Sequence, residues 1–393
     1  MRCLQDSRLI FCFYVLLAIA VSAQKYVLDK VEYDKKSLRH YNNYLIFKYS
    51  AKHLLEGKNL YTSYPDEHDD LYKYSPTFAV LMLPFWYLPD AIGLCLWNLC
   101  NAIPLFLAIW LLPMPQEKRA LIAWLILPEL LINMQNSQSN GLVAACMIMT
   151  FVAIERRKWE ITALPIALSA FIKIFGVLSS ILAVFSKNRY KVMIFGAVWF
   201  ALWLSLPLLV VPPSNLIAQY ENWLTLLKED YEPLRSASVY GCWLAWFENE
   251  PPRMWLTLIG VAALLLPLTQ IKKYENLNFR ITYLGFLMIW GVIFNHRAES
   301  PTFIIAICGV MLWFFAHEKT LLNVVLLALA LFCTAILPSD LVPKSWTEYG
   351  WKYELKALSC ILVWLKVCYD LIFKSAQREE SARYVSTLSC RTK

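Results

Sequence analysis

The chain has 393 residues, 59% of them hydrophobic, 15% aromatic and only 17% charged, with a net charge of +8. So apolar a composition excludes an ordinary soluble globule and points to a polytopic membrane protein. No basic patch interleaved with aromatics suggests nucleic acid, and the eleven cysteines show neither a disulfide framework nor a CxxC or Cys/His metal spacing.

The N-terminal "MRCLQDSRLIFCFYVLLAIAVSAQ" joins a charged start to an apolar run and a small-residue end, the outline of a signal peptide. We read it as a retained first membrane helix, because the rest of the chain needs a start inside the cytoplasm.

Residues 24–74 then form a first outer loop. In "LRHYNNYLIFKYSAKHLLEG", Leu38, Tyr41, Leu45, Tyr49, Leu54 and Leu55 recur near helical spacing, with Lys48, Lys52 and His53 on other faces. That pattern predicts an amphipathic helix along the membrane surface, ended by Gly57 and Asn59. The acidic "YPDEHDDLYKYSP" follows, with Asp66, Glu67, Asp69 and Asp70 around His68, then Lys73 and Tyr74. Charge runs are usually solvated turns. At the mouth of a membrane cavity the same carboxylates could act as general bases, or hold a divalent cation against a phosphate.

Runs long and apolar enough to cross much or all of a bilayer follow at 75–90, 91–112, 140–154, 192–211, 254–270, 281–294, 301–316, 320–337 and 355–373. Lys and Arg in "ERRK", "SKNRYK", "QIKKYENLNFR" and "HEK", and in the tail 374–393, mark the cytoplasmic side. The opposite side then holds 24–74, a net acidic second loop at 212–252, the turn "NHRAESP" and the stretch "PSDLVPKSWTEYGWKYE".

Two segments break a simple up-and-down count. "ALIAWLILPELLINM" carries Pro128 and Glu129 in its apolar run and reads as a half-helix or a kinked one. "ITALPIALSAFIKIFGVLSSILAVF" lies between two basic loops, so it is predicted to enter, turn near Lys173 to Gly176, and leave. Broken helices at membrane depth are tolerated where they are buried in protein or face a cavity.

Four features gather at the predicted outer face. The acidic run, with Asp34 upstream in the same loop, offers carboxylates. Lys173, an ionisable residue costing about 2.5–3.5 kcal/mol at membrane depth, offers a cation for a lipid phosphate, against the plainer reading of a lysine snorkelling to the interface. The uncharged run "NMQNSQSNG", with Gln135, Asn136, Gln138 and Asn140, is either a plain loop or a set of amides for sugar hydroxyls. In "NHRAESP", Arg297 can grip a phosphate through a bidentate fork beside His296 and Glu299, or simply pair with that glutamate.

The order "SAKHLLEGKNLY", "YKYSPTFAVLMLPFWYLP", "LWNLCNAIPLF", "QNSQSN" before "ERRK", a lysine in a short apolar segment before "SKNRYK", and Ser300-Pro301 opening a late helix resembles the family 87 glycosyltransferases, best over about residues 40–190. The resemblance implies an all-α C-type membrane fold of about 10–13 transmembrane or half-membrane helices. It also implies transfer of a sugar, mannose among the candidates, from a polyprenyl-phosphate donor to a glycan or lipid acceptor on the outer face. In such proteins an acid of the first outer loop deprotonates the acceptor. Here the matching position is Asn43, and an amide cannot take that proton.

The expectation is one integral membrane domain over 1–373 in a bacterial inner membrane, both termini cytoplasmic, with no certain cofactor. Glu67, Asp70, Asp69 or Asp34 would serve as base. Asn43, His68, Lys73, Tyr74, Gln135, Asn136, Gln138, Asn140, Lys173, His296, Arg297 and Glu299 would bind substrate. A transporter or lipid-handling protein, or a catalytically silent relative, is the alternative.

Overall fold

The computed structural model describes residues 2–28, 30–33, 36–229 and 236–374. It is helical apart from a short antiparallel hairpin, Val31–Tyr33 with Lys36–Leu38. Asp34 and most of the tail lie outside the described residues.

The first helix, α1 (Ser7–Val27), is capped by Asp6 and packs into the bundle rather than standing apart. Its Tyr14 hydroxyl donates to Ala123 O at 2.7 Å, and Ser22 receives a hydrogen bond from Asn98 at 2.9 Å. Helix α2 (Asn42–Leu55) corrects the expected surface helix. Tyr44, Phe47, Ala51 and Leu54 are fully buried, and so nearly are Lys48 and His53, whose heads find partners inside. Lys48 Nζ sits 2.6 Å from Asp90 and 2.8 Å from Leu88 O, which satisfies a cation that the sequence alone would leave in solvent.

The run 75–90, expected as one span able to cross much or all of a bilayer, is not one continuous helix. It forms two short helices, α3 (Pro76–Leu81) and α4 (Leu83–Trp86). The helix breaks at Met82, just before the Leu83-Pro84 step, and ends before Pro89, since proline supplies no amide donor and disfavours helical backbone in the residue before it. A full span begins after Pro89 as α5 (Asp90–Trp110). Next come α6 (Gln116–Leu125) and α7 (Leu127–Gln135), one kinked rod whose bend falls at Ile126 before Pro128. Helix α8 (Asn140–Glu155) is buried on nearly every side.

Helix α9 (Trp159–Ile172) reverses at Lys173 into a tight 3-10 helix, Ile174–Phe185. A Cβ on Gly176 would stand 2.6 Å from the backbone carbon of Ser169, so only glycine lets the two arms meet this closely. The predicted enter-and-leave geometry is what the backbone shows.

The chain continues through α10 (Arg189–Ser205), extended by Leu206–Leu209; α11 (Pro213–Glu229); α12 (Val239–Phe247); α13 (Arg253–Leu265), extended by Leu266–Thr269; and α14 (Leu277–Ile293). A turn, Ser300–Thr302, opens α15 (Phe303–Ala316). Then follow α16 (Leu321–Leu331) with a wider-wound end at Phe332–Ile336, α17 (Lys344–Lys352) and α18 (Leu355–Phe373). Among the described residues three helices, Ser7–Val27, Asp90–Trp110 and Arg189–Leu209, are long and apolar enough to cross a membrane, with several shorter apolar helices besides.

The core lies where α14 and α15 run together against α8 and α18, with Trp313, Tyr283, Phe286 and Phe303 fully buried. Outward, Met193, Ile194 and Leu202 of α10 and Leu321 and Val325 of α16 are exposed apolar surface, as lipid requires. The basic connections meet at one end: Arg280 forks onto Glu155 at 2.7 Å through two nitrogens, and Lys273 donates to the last carbonyls of α18. The first loop, α11, the 136–140 turn, Lys173 and the 296–302 turn meet at the other.

Candidate functional site

The polar run between α7 and α8 is a hydrogen-bonded turn, not a slack loop. Asn133, fully buried, donates to Asn101 Oδ1 and to Gln138 O and accepts from Asn140 N at 3.2 Å. Asn101 on α5 also accepts from Leu142 N at 3.1 Å. Ser137 takes a left-handed backbone, and its carbonyl receives the Trp97 indole N–H at 2.8 Å. Amides are the side chains that can satisfy backbone donors and acceptors together in a dry turn. The consequence is that Gln138 and Asn140 are held on a rigid base. Gln135 is half-buried at the end of α7, and Asn136 faces out with its amide capping Ile132 O.

Three other segments converge on this turn. Tyr74 donates to Gln138 Oε1 at 3.2 Å, and Gln138 Nε2 reaches Glu299 at 3.4 Å. Asn140 Nδ2 donates to Pro301 O at 3.1 Å, tying the turn to the start of α15. Ser75 donates to Phe171 O at 2.5 Å, which brings the apex at Lys173 alongside. Lys173 is half-buried and within electrostatic reach of Glu299, while no other group holds its ammonium among the described residues. Helix α11 closes over the first loop, with Gln219 bonded to Lys58 O and Leu60 N and the Trp223 indole to Lys73 O. Ala237 N donates to Ala298 O at 3.0 Å, joining the second outer loop to the 296–302 turn.

Within that turn Glu299 caps Ser300–Thr302 in a reciprocal box with Thr302. Arg297 is half-buried with its N–H capped by Asn295, and His296 is exposed. Asn43 donates to Asn136 O at 2.9 Å. An aspartate there would set a carboxylate against a carbonyl, so the amide fits the contact that this chain makes.

The acidic run divides in two. Glu67 turns back onto α2, 2.6 Å from Lys52 and 2.5 Å from His53, whose ring stacks on Tyr64. Asn42 exchanges two hydrogen bonds with the Asp69 backbone, at 2.9 and 3.0 Å. Asp70 holds a left-handed backbone, caps Leu71 N and lies 3.5 Å from Lys73. Tyr74 feels the charge of both Asp70 and Glu299 and so links the end of the run to the convergence.

The His53 cluster makes this loop acid-sensitive. Burial pushes the His53 imidazole below its ordinary value against the pull of Glu67, and burial with His53 nearby does the same to His68. Glu67 is held low although burial opposes it, because Lys52 and His53 hydrogen-bond its charged form. The folded loop therefore binds fewer protons than the unfolded one. Its stability is complete above the ordinary histidine value near 6.5 and is lost as pH falls through the lowered folded values, with the Glu67 contribution following below about 4.5. The hydrogen-exchange protection factors of residues 42–74, corrected for the slower intrinsic exchange at low pH, are expected to fall between pH 7 and pH 4 while those of α14 and α15 hold. A flat profile would sink this account.

Sequence reasoning passed over one part of the site. Lys356 on α18 donates to Glu129 of α7 at 3.0 and 3.3 Å, to Ser300 Oγ at 3.0 Å and to Thr334 O at 2.9 Å. Glu129 is 1% exposed, so this is a buried pair directly behind the Glu299 turn. The signal was present, since an ionisable group inside each of two apolar runs implies a partner. Asn101, a polar residue inside the α5 apolar run, was missed as well. Among the described residues no three His, Cys, Asp or Glu side chains come together as a metal cage.

The family profile described as glycosyltransferase family 87 matches residues 72–338, from the end of the acidic loop to the end of α16 and its extension. No curated protein matches the chain.

Proposed function

The chain belongs to glycosyltransferase family 87, and from that premise we propose that it transfers a sugar, mannose among the candidates, from a polyprenyl-phosphate donor. The acceptor is a glycan or lipid at the outer face of a bacterial inner membrane, and the bundle is of the C-type. The observation that carries the proposal is the hydrogen bond of an amide, Gln138, to one carboxylate, Glu299, with a cation, Lys173, within its electrostatic reach, the three coming from distant segments.

Glu299 takes the proton of the acceptor hydroxyl, whose oxygen attacks the anomeric carbon from the face opposite the phosphate. The bond to the phosphate oxygen breaks, and its electron pair leaves on the phosphate beside Lys173. Arg297 adds a second cation from the Glu299 turn. Gln138, fixed by Asn133, orients the sugar hydroxyls, while the buried Asn140 ties the turn to Pro301 O behind it. The phosphate charge is thus met by the side chains of Lys173 and Arg297.

Asp70 is the second candidate base, because it shares Tyr74 with Glu299. Glu67 serves a structural task on α2. Transfer by the purified protein in vesicles, with a short-chain polyprenyl-phosphate sugar, separates these assignments. Asp70→Asn and Glu67→Gln should each retain turnover; a dead Asp70→Asn with an active Glu299→Gln would move the base into the acidic run. Binding of the donor without turnover in the wild-type chain would mark a silent relative. Lys173→Gln is expected to raise the donor KM by about 10- to 100-fold, the worth of one charge-assisted hydrogen bond, with Lys173→Arg partly restoring it. An unchanged KM would remove the lysine from the phosphate.

A further inference from the structure

Glu299 is exposed and its side chain is rich in rotamers, so it can serve as a base only when something aims its carboxylate. Two donors do so. The backbone N–H of Thr302 holds it from within its own turn, and the Gln138 amide holds it from across the site at 3.4 Å. The second donor is itself held. A carboxylate only accepts, so the Gln138 NH2 must face Glu299, and the amide oxygen is left turned the other way. The Tyr74 hydroxyl donates to that oxygen at 3.2 Å. Gln138, 6% exposed, is thus gripped from both sides.

Tyr74 is the fixed end of this chain of bonds. Its ring is enclosed by Phe47 at 4.9 Å, Phe78 at 5.2 Å and Tyr72 at 5.6 Å, all three of them buried. Its carbonyl receives the Tyr61 hydroxyl at 3.0 Å. The next residue, Ser75, is fully buried, is held extended by Pro76 and donates to Phe171 O, so the backbone at Tyr74 cannot drift. Burial, then the charge of Glu299 and that of Asp70, pushes the Tyr74 hydroxyl well above its ordinary value, against the nearby Ser139 hydroxyl. The group therefore stays protonated and donates.

We propose that Tyr74 is a positioning residue, which through the Gln138 amide fixes the direction of the Glu299 carboxylate. The catalytic consequence rests on the reading of Glu299 as the base. A tyrosine at this place could instead be read as a sugar contact, but its single hydrogen is already given to Gln138. Gln138 keeps a second amide hydrogen and a second lone pair for a sugar hydroxyl, so the amide touches substrate and Tyr74 stands behind it.

Two readouts on the full chain in detergent test this, and the first needs no turnover. NMR of the isotopically labelled Gln138 side-chain amide, assigned by its loss in Gln138→Met, reports the bonds on either side. Glu299→Gln should displace that signal, and the displacement should be smaller in Tyr74→Phe, which keeps the ring among its aromatic neighbours. Kinetics with a short-chain polyprenyl-phosphate sugar supply the second. Tyr74→Phe should lower kcat about ten-fold, the worth of one hydrogen bond, with donor KM and melting temperature near their wild-type values. In Gln138→Met the same substitution should cost nothing further, because the path runs through the amide. An NMR displacement equal with and without the hydroxyl overturns the proposal. So does a Tyr74→Phe variant that raises donor KM at unchanged kcat, or one whose full factor persists in Gln138→Met. The expected NMR result in a protein whose Glu299→Gln variant transfers sugar at the wild-type rate leaves the positioning standing and overturns the reading of Glu299 as the base.

Discussion

Glu299→Gln is expected to lower sugar transfer by about a hundred- to ten-thousand-fold, the usual contribution of a positioned general base. The substitution is nearly isosteric, keeps an acceptor for the Gln138 amide and the Thr302 end of the turn, and removes only the ability to hold a proton. The loss should therefore fall on kcat and on kcat/KM alike, while donor KM stays near its wild-type value. Thermal stability in detergent should change little, since Glu299 is exposed and its backbone partners persist. Wild-type turnover in this variant would show that the proton goes elsewhere, and Asp70 across Tyr74 would be the group to change next.

Lys356→Met should have the largest effect on stability. It leaves Glu129, 1% exposed, without its cation in the middle of a helical bundle, a situation that costs about 3–5 kcal/mol. The melting temperature in detergent should fall sharply. Because Lys356 also holds Ser300, the Glu299 turn would loosen and transfer would fall with it. The double variant Glu129→Gln with Lys356→Met removes both charges and should recover most of the stability, since an absent pair is cheaper than half of one. Equal destabilisation in single and double variants would mean that the pair is not what holds α7 against α18.

How far the sequence reaches can be seen at particular residues. The reversal at Lys173 was legible because two basic loops flank a stretch too short for two full crossings, and Gly176 sits where the backbone must approach itself. The kink before Pro128 was legible because proline fixes φ and removes a donor. The run 75–90 misled because hydropathy counts apolar side chains and does not weigh Pro84 and Pro89 against helix continuity. The burial of α2 was hidden because Lys48 and His53 mimic a solvated face until Asp90 and Glu67 are brought to them by other segments.

The sequence alone determined that the protein is an apolar helical bundle with two unlike ends, because composition, span length and the placement of lysine and arginine act locally along the chain. It also supplied the candidate groups, including Gln138, Lys173 and Glu299. Only the tertiary structure decided which of them meet. A hydrogen bond or ion pair is made over a few ångströms between residues such as Gln138 and Glu299, or Glu129 and Lys356, that lie far apart in the chain. No periodicity or local charge pattern records such a distance. The same holds for α17, which is pinned against Leu337 while the Tyr353 carbonyl is tied to α12, contacts that the stretch "PSDLVPKSWTEYGWKYE" does not record.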